Sequence, residues 1–178
     1  MSSIFVAFAL TSFVHTIGIL LERNNLLSLL VALRWRSLAA ITFGIFFIIA
    51  GLGHFDEKLT ERLYLPMMPP FIPFSLRRFV NSLSGIIEIT IGIASFIFAM
   101  IHNQRGLSYT ALAALFVLLA VFPANIYVAL SPRVQEKTGQ SQEFANIRLF
   151  IQITFALWAA WPLIQIKGIR NNGGGVLQ

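Results

Sequence analysis

Long apolar stretches separated by short polar ones dominate the hydrophobic pattern of this chain. A helix needs roughly 20 mostly apolar residues to cross a membrane, and four stretches approach or exceed that length: 37–54, 82–101, 108–130 and 147–165. A fifth, equally apolar stretch covers 3–21. The pattern predicts an all-α protein, a transmembrane four-helix bundle with an additional N-terminal hydrophobic helix.

The N-terminal stretch has two interpretations, a retained anchor or helix and a cleaved signal. It lacks a positively charged beginning and a good small-x-small cleavage site, which favours retention. The predicted organisation is therefore an N-terminal anchor and linker over 1–33, a four-helix membrane domain over 34–168, and a disordered, glycine-rich tail over 169–178.

The composition supports an integral, multi-pass membrane protein. The chain has 178 residues, of which 57% are hydrophobic and 11% are charged, whereas soluble domains carry about 25% charged residues. The net charge of +6 comes from cations scattered along the loops, which is typical of membrane interfaces rather than of a nucleic-acid binder. The absence of cysteine excludes disulfides and cysteine-ligated clusters.

Glu88 is the most informative single residue, because it interrupts an isoleucine-rich run. A charge at the centre of a lipid-spanning helix costs at least ~2–3 kcal/mol unless it meets a partner or a wet cavity. Ser84, Gly92 and Ser95 share its helical stripe, so this face is predicted to point into the bundle. The simplest interpretation is a structural ion pair between Glu88 and Arg148.

A second row of small residues lies on the first core helix. Ala40, Gly44, Gly51 and His54 follow spacings of four, seven and three, which place them on one face. Such a row lets a neighbouring helix approach closely.

Connectivity predicts that polar residues from all four core helices converge. Successive helices cross in opposite directions, so the first and third end on the face where the second and fourth begin. Five polar residues then lie in the same half of the bilayer, as candidates for a ligand site or polar cluster: His54, Glu88, Asn125, Arg148 and Gln152. His54 could instead be an interfacial histidine, and Asn125 could satisfy the backbone that Pro123 loosens.

The loop over 55–80 is predicted to cap this face. Four prolines within 66–73 prevent a continuous helix, while the apolar residues between them favour an interfacial or re-entrant position. Arg77 and Arg78 follow as candidates for binding anionic headgroups.

The sequence motifs argue against several chemistries. No H-x-x-x-H or E-x-x-H pattern supports a metal site. No nucleotide-binding or hydrolase motif occurs, and no cofactor site is predicted within the chain, although a quinone could bind the polar cluster.

Ordered motifs from Gly51 to Trp161 resemble the DoxX-like family of small four-helix membrane proteins. The resemblance rests on these segments: Gly51-Leu52-Gly53-His54-Phe55, Pro69-Pro70-Phe71-Ile72-Pro73, Ser84-Gly85-Ile86-Ile87-Glu88, Phe122-Pro123-Ala124-Asn125-Ile126-Tyr127 and Arg148-Leu149-Phe150-Ile151-Gln152. It implies a four-helix bundle, and it links some family members to quinone-linked redox complexes and distant relatives to receptor assembly.

Three functions follow as expectations. The leading one is an accessory or assembly factor for a larger membrane protein complex, supported by the small-residue faces and the lack of a catalytic set. The second is a quinone-linked redox component, with Phe55, Phe71 and Phe74 enclosing the ring. The third is a small-lipid-binding enzyme or transporter, although one intramembrane acid is little provision for acid–base catalysis.

Overall fold

The computed structural model describes residues 29–172, and these form helices joined by short turns, with no strand in that range. The four long helices are α1 (Leu29–Gly53), α4 (Phe74–Met100), α5 (Gln104–Leu130) and α7 (Gln142–Asn172). Between α1 and α4 lie α2 (Glu57–Leu59), a π-helical segment (Thr60–Tyr64) and α3 (Leu65–Met67), and α6 (Pro132–Thr138) precedes α7. The all-helical prediction is confirmed, whereas the predicted N-terminal helix over 3–21 lies outside the described residues.

The long helices extend beyond the apolar stretches that predict them. α1 begins at Leu29, upstream of the predicted start near Ser37, and α4 begins directly after Pro73 rather than near residue 82. Helix ends follow capping residues and prolines more than the limits of an apolar window. The predicted domain boundary at 33/34 therefore falls within α1.

The C-terminal end shows the same extension. α7 continues to Asn172, so residues 169–172 of the predicted disordered tail are helical. The glycine run begins only at residue 173, and glycine is the residue of this tail that most disfavours a helix. The remainder of the tail lies outside the described residues.

Glycines bring α1 and α4 into close antiparallel contact. A Cβ atom added to Gly92 would lie 2.5 Å from the carbonyl oxygen of Gly44, and one added to Gly51 would lie 2.7 Å from that of Gly85. Only glycine permits this backbone approach. The small-residue rows predicted on the two helices thus pack directly against each other, and we call this contact the glycine seam.

A hydrophobic core shared by all four long helices lies beside the seam. Phe43 and Phe47 of α1 contact buried residues of the other three helices, namely Ile91, Ala114, Leu118, Phe155 and Ala159. The ring of Phe46 stacks on that of Phe155 with their centroids 4.6 Å apart. These contacts connect the α1–α4 pair to the α5–α7 pair.

Two of the described helices, α4 and α5, are each long and apolar enough to cross a membrane. A third span results if residues 37–53 and 57–67, which are bent by 77° at the intervening turn, are counted as one broken span. The chain is therefore compatible with a membrane location.

The glycine seam makes a prediction about stability. Gly92→Ala should lower the free energy of unfolding by about 1–3 kcal/mol through overpacking, even though alanine favours the helix by about 1 kcal/mol over glycine. Ile93→Ala, on the exposed side of the same helix, is the control and should change stability little. Thermal unfolding of the detergent-solubilised protein measures both, and an unchanged or raised melting temperature for Gly92→Ala would contradict the seam.

Candidate functional site

The turn after α1 positions the first part of the site. The chain bends by 77° there, which brings the π-helical segment back over the end of α1. The carbonyl oxygen of His54 accepts a hydrogen bond from the Thr60 hydroxyl at 2.9 Å. This contact holds His54 at the bend, with its ring facing α4.

Asn81 fixes the His54 ring, and its side chain is almost completely buried. Its Nδ2 donates to the His54 carbonyl at 2.8 Å and to the Thr60 hydroxyl at 3.2 Å. Its Oδ1 lies 2.8 Å from Nδ1 of His54. Because Nδ2 supplies the donors, Oδ1 must be the acceptor, and Nδ1 of His54 therefore carries a hydrogen.

Glu88 faces the other ring nitrogen of His54. The distance from Nε2 to Oε2 of Glu88 is 3.6 Å, which exceeds a hydrogen bond, and both side chains are only 12% exposed. That Oε2 is buried and has no hydrogen-bond partner. With Nδ1 protonated, a neutral ring points the lone pair of Nε2 at the carboxylate, whereas a protonated ring points an N–H at it.

Tyr64 completes this half of the site. Its ring stacks on that of His54 with the centroids 4.1 Å apart and an angle of 15° between the planes. Gly53 provides the space, since a Cβ there would lie 2.7 Å from the tyrosine hydroxyl. Tyr64 also lies near enough to both Glu88 and Arg148 to interact with their charges.

Arg148 lies at the centre of the second half, where α5, α7 and the loops meet. Its Nη2 donates to Oδ1 of Asn125 at 2.8 Å, and its Nη1 donates to Oε1 of Gln140 at 3.2 Å and to the Met67 sulfur at 3.2 Å. All three acceptors are neutral. The guanidinium is therefore positioned by hydrogen bonds without a counter-charge.

Asn125 and Gln152 link α5 to α7. Nδ2 of Asn125 donates to Oε1 of Gln152, and Nε2 of Gln152 donates to the Leu118 carbonyl in the region preceding Pro123. Asn125 was expected either to join the polar cluster or to satisfy the backbone that Pro123 loosens. The structure shows the first, because its side chain bonds to those of Arg148 and Gln152. The resulting chain of bonds runs from Arg148 through Asn125 to Gln152.

The predicted ion pair between Glu88 and Arg148 is wrong. Glu88 faces His54, and Arg148 has no carboxylate within 4.0 Å among the residues that the structure describes. The sequence placed both residues at the same end of the helices, but Tyr64 and His54, delivered by the bend after α1, occupy the position next to Glu88. The five candidate residues thus form two groups, His54 with Glu88 and Asn125 with Arg148 and Gln152.

Arg77 and Arg78 make different contacts. Arg77 donates to the carbonyls of Ile72, Leu65 and Pro69 at 3.2, 3.3 and 3.5 Å. The prolines in this segment have no backbone N–H and cannot donate hydrogen bonds. The carbonyls of the segment therefore need other donors, and the guanidinium of Arg77 supplies them. Arg78 is exposed and pairs with Glu61. Binding of headgroups stays a prediction for both residues.

Sequence reasoning missed four residues of the site: Thr60, Tyr64, Asn81 and Gln140. A signal for Asn81 was present, since its spacings of four to Gly85 and seven to Glu88 place it on the stripe of small and polar residues. The predicted helix over 82–101 begins after Asn81 and therefore leaves it out. Thr60 and Tyr64 belong to the short π-helical segment and Gln140 to the turn before α7, and segments this short carry no periodicity that indicates a direction.

Within the described part of the chain, no three His, Cys, Asp or Glu side chains are grouped as metal ligands. The site offers hydrogen-bond donors and acceptors, a histidine–carboxylate pair and a guanidinium. These groups suit the recognition of a polar head.

The fold and the site define a helical protein with at least two helices able to cross a membrane and a polar cluster where helix ends and loops meet. Residues 43–162 match the family described as Domain of unknown function (DUF8561), and the chain belongs to that family. No curated protein and no solved structure matches the chain.

The role of Asn81 is open to a direct test. Asn81→Leu should lower the free energy of unfolding by about 1–3 kcal/mol, because the Nδ1 hydrogen of His54 loses its acceptor and the His54 carbonyl loses one of its two side-chain donors. Asn146→Leu, at an exposed position of α7, is the matched control and should cost under about 1 kcal/mol. Thermal unfolding in detergent compares them, and equal losses would show that Asn81 does not organise the turn.

The corrected pairing makes a second prediction. If Glu88 and Arg148 are not partners, the exchange of Glu88→Arg with Arg148→Glu should be no more stable than the less stable single variant. A double-mutant cycle measured by thermal unfolding provides the coupling free energy, which should be below about 0.5 kcal/mol. Substantial recovery in the double variant would show that the two charges do interact.

Proposed function

We propose that the protein is a multi-pass membrane protein of DoxX-like type, and that its polar cluster binds a small lipid-soluble ligand. In this proposal the four long helices form a transmembrane four-helix bundle, with a further hydrophobic helix at the N-terminus. The core shared by α1, α4, α5 and α7 supports the bundle. The ordered DoxX-like motifs support the family type, because their residues line the contacts described above.

Exposed apolar side chains support several membrane spans. Soluble monomers rarely expose large contiguous apolar patches, yet α4 and α5 carry many exposed large side chains, among them Phe79, Ile86, Ile93, Ile97, Leu112, Phe116 and Leu119. These residues recur along most of both helices. Contact with the hydrocarbon of a membrane would remove the free-energy cost of exposing these apolar side chains to water.

One observation carries the ligand proposal: Glu88 and Arg148 do not neutralise each other. A structural role for these charges depended on their pairing. Instead, a buried carboxylate oxygen of Glu88 lacks a hydrogen-bond partner, and Arg148 contacts only neutral acceptors. Burying such groups without partners lowers the free energy of unfolding of the ligand-free protein. Hydrogen bonds to a polar ligand head would restore part of it.

The accessory-factor alternative loses part of its support. It relied on small-residue helix faces available to a partner, but the glycine seam uses those faces within the chain, between α1 and α4. Assembly with a larger membrane protein therefore needs another surface, and the exposed apolar side chains of α4 and α5 are the ones available.

The quinone alternative keeps its hydrogen-bonding groups but not its predicted aromatic enclosure. Phe55, Phe71 and Phe74 are 51%, 71% and 83% exposed, so they do not close over the cluster. Tyr64 is the aromatic ring next to His54. A quinone would use the cluster's donors to its carbonyls, and the electrons would have to come from partner subunits.

Native mass spectrometry of the full-length protein, extracted gently from its own membrane, tests the proposal. We expect a bound small molecule that is retained in the wild type and lost, or retained at least about tenfold less, in Glu88→Gln, since a buried hydrogen bond to a charged group is worth about 1.5–3 kcal/mol. Glu61→Gln, at the exposed pair with Arg78, is the matched control and should retain the ligand.

Two results would contradict this proposal. One is equal retention of the ligand by the wild type and Glu88→Gln. The other is a protein without a small ligand that co-purifies with the same larger membrane protein in both versions, which would make it an accessory factor.

A further inference from the structure

The guanidinium of Arg148 has unused donors. An arginine side chain offers five N–H donors, and three are directed at Asn125, Gln140 and Met67. The two that remain are the Nε hydrogen and one Nη2 hydrogen. Nε is not among the fully buried atoms that lack a partner, and the second Nη2 hydrogen has no acceptor among the described residues, so both donors are available to a ligand.

The charge of the site leaves Arg148 uncompensated. The Glu88 carboxylate lies against His54, and no carboxylate of the described residues lies within 4.0 Å of the guanidinium. The guanidinium therefore carries one positive charge that no described carboxylate compensates. A ligand with one negative charge would neutralise it, whereas a doubly charged phosphate monoester would leave an excess of negative charge.

The surroundings of Arg148 are apolar on the loop side. Met67, whose sulfur accepts from Nη1, belongs to a buried cluster with Val128, Ala129, Val134 and Ala145, and Leu149 packs against the same cluster. This cluster is buried, whereas Ile147 and Phe150, which neighbour Arg148 along α7, are exposed. A ligand that combines an anionic oxygen head with an apolar body would meet both Arg148 and these apolar side chains.

We propose that the free edge of Arg148 binds the monoanionic oxygen head of an amphiphile, such as a long-chain carboxylate or the phosphodiester of an anionic phospholipid. The proposal rests on the ligand-binding function above and specifies the chemistry of the ligand. Guanidinium groups bind such oxyanions with two parallel hydrogen bonds. Asn125 and Gln140 act as positioning residues, since they hold the guanidinium while leaving donors free.

The test uses the delipidated full-length protein in neutral detergent and native mass spectrometry with three probes: hexadecanoate, hexadecan-1-ol and dioleoylphosphatidylglycerol. The wild type should bind at least one anionic probe about ten- to a hundredfold more tightly than the uncharged alcohol, as expected for charge-assisted hydrogen bonds. Arg148→Gln should abolish that preference, and Arg148→Lys should retain part of it. Arg78→Gln, at the exposed ion pair, should change nothing.

The probes distinguish the two sources of the head group. If the binding of hexadecanoate depends on Arg148, the head group is a free carboxylate. If the binding of phosphatidylglycerol depends on Arg148, the head group is that of a phospholipid. If Arg148→Gln does not fold, the wild-type comparison of hexadecanoate, phosphatidylglycerol and the alcohol decides by itself. Equal binding of all three, or the same anion preference in Arg148→Gln, would overturn the inference.

Two further results separate this inference from the proposed function. An uncharged natural ligand that needs Glu88 but not Arg148 would overturn the inference and leave the function intact. Anion binding that appears only in Glu22→Gln would also overturn it, because the chain's own carboxylate would then be the partner of Arg148; Glu22 is the one acidic residue outside the described range.

Discussion

The close approach of α1 and α4 determines the geometry of the rest of the protein. Gly44 lies against Gly92 and Gly51 against Gly85, so the two backbones meet at a distance that no larger residue permits. The contact continues to the end of α1, where His54 reaches Asn81 and Glu88. The hydrogen bonds of Asn81 to the turn after α1 depend on this approach, and they add to the local bond from Thr60 to the His54 carbonyl in holding the bend that brings in Tyr64.

The polar groups at this end illustrate how an apolar protein positions charges. Neutral amide side chains position the titratable groups by hydrogen bonds: Asn81 orients His54, while Asn125 and Gln140 orient Arg148. Neutral partners fix a side chain without cancelling its charge, whereas an ion pair would do both. The arrangement therefore leaves a positioned guanidinium that is still able to interact with a ligand. This property distinguishes the site from a purely structural salt bridge.

Helical periodicity predicted the small-residue rows on α1 and α4, because small residues at spacings of four and seven share one helical face and are typical of close helix packing. Connectivity likewise predicted which polar residues lie at the same end of the molecule, since antiparallel helices bring their successive ends together. The pairing within that group could not be predicted. Five polar residues at similar depth allow several pairings, and the choice depends on side-chain direction and on Tyr64, which belongs to the short π-helical segment between α1 and α4.

The amino-acid sequence by itself determined the helical class, the apolar character of the helices and the faces that carry polar residues, because these depend on composition and on a period of 3.6 residues. The tertiary structure alone decided that Glu88 faces His54 and that Arg148 binds neutral acceptors. Those contacts depend on the bend after α1 and on the packing of loop residues, which come from distant parts of the chain. Local sequence patterns describe the surface of one helix at a time, and a binding site is formed where several surfaces meet.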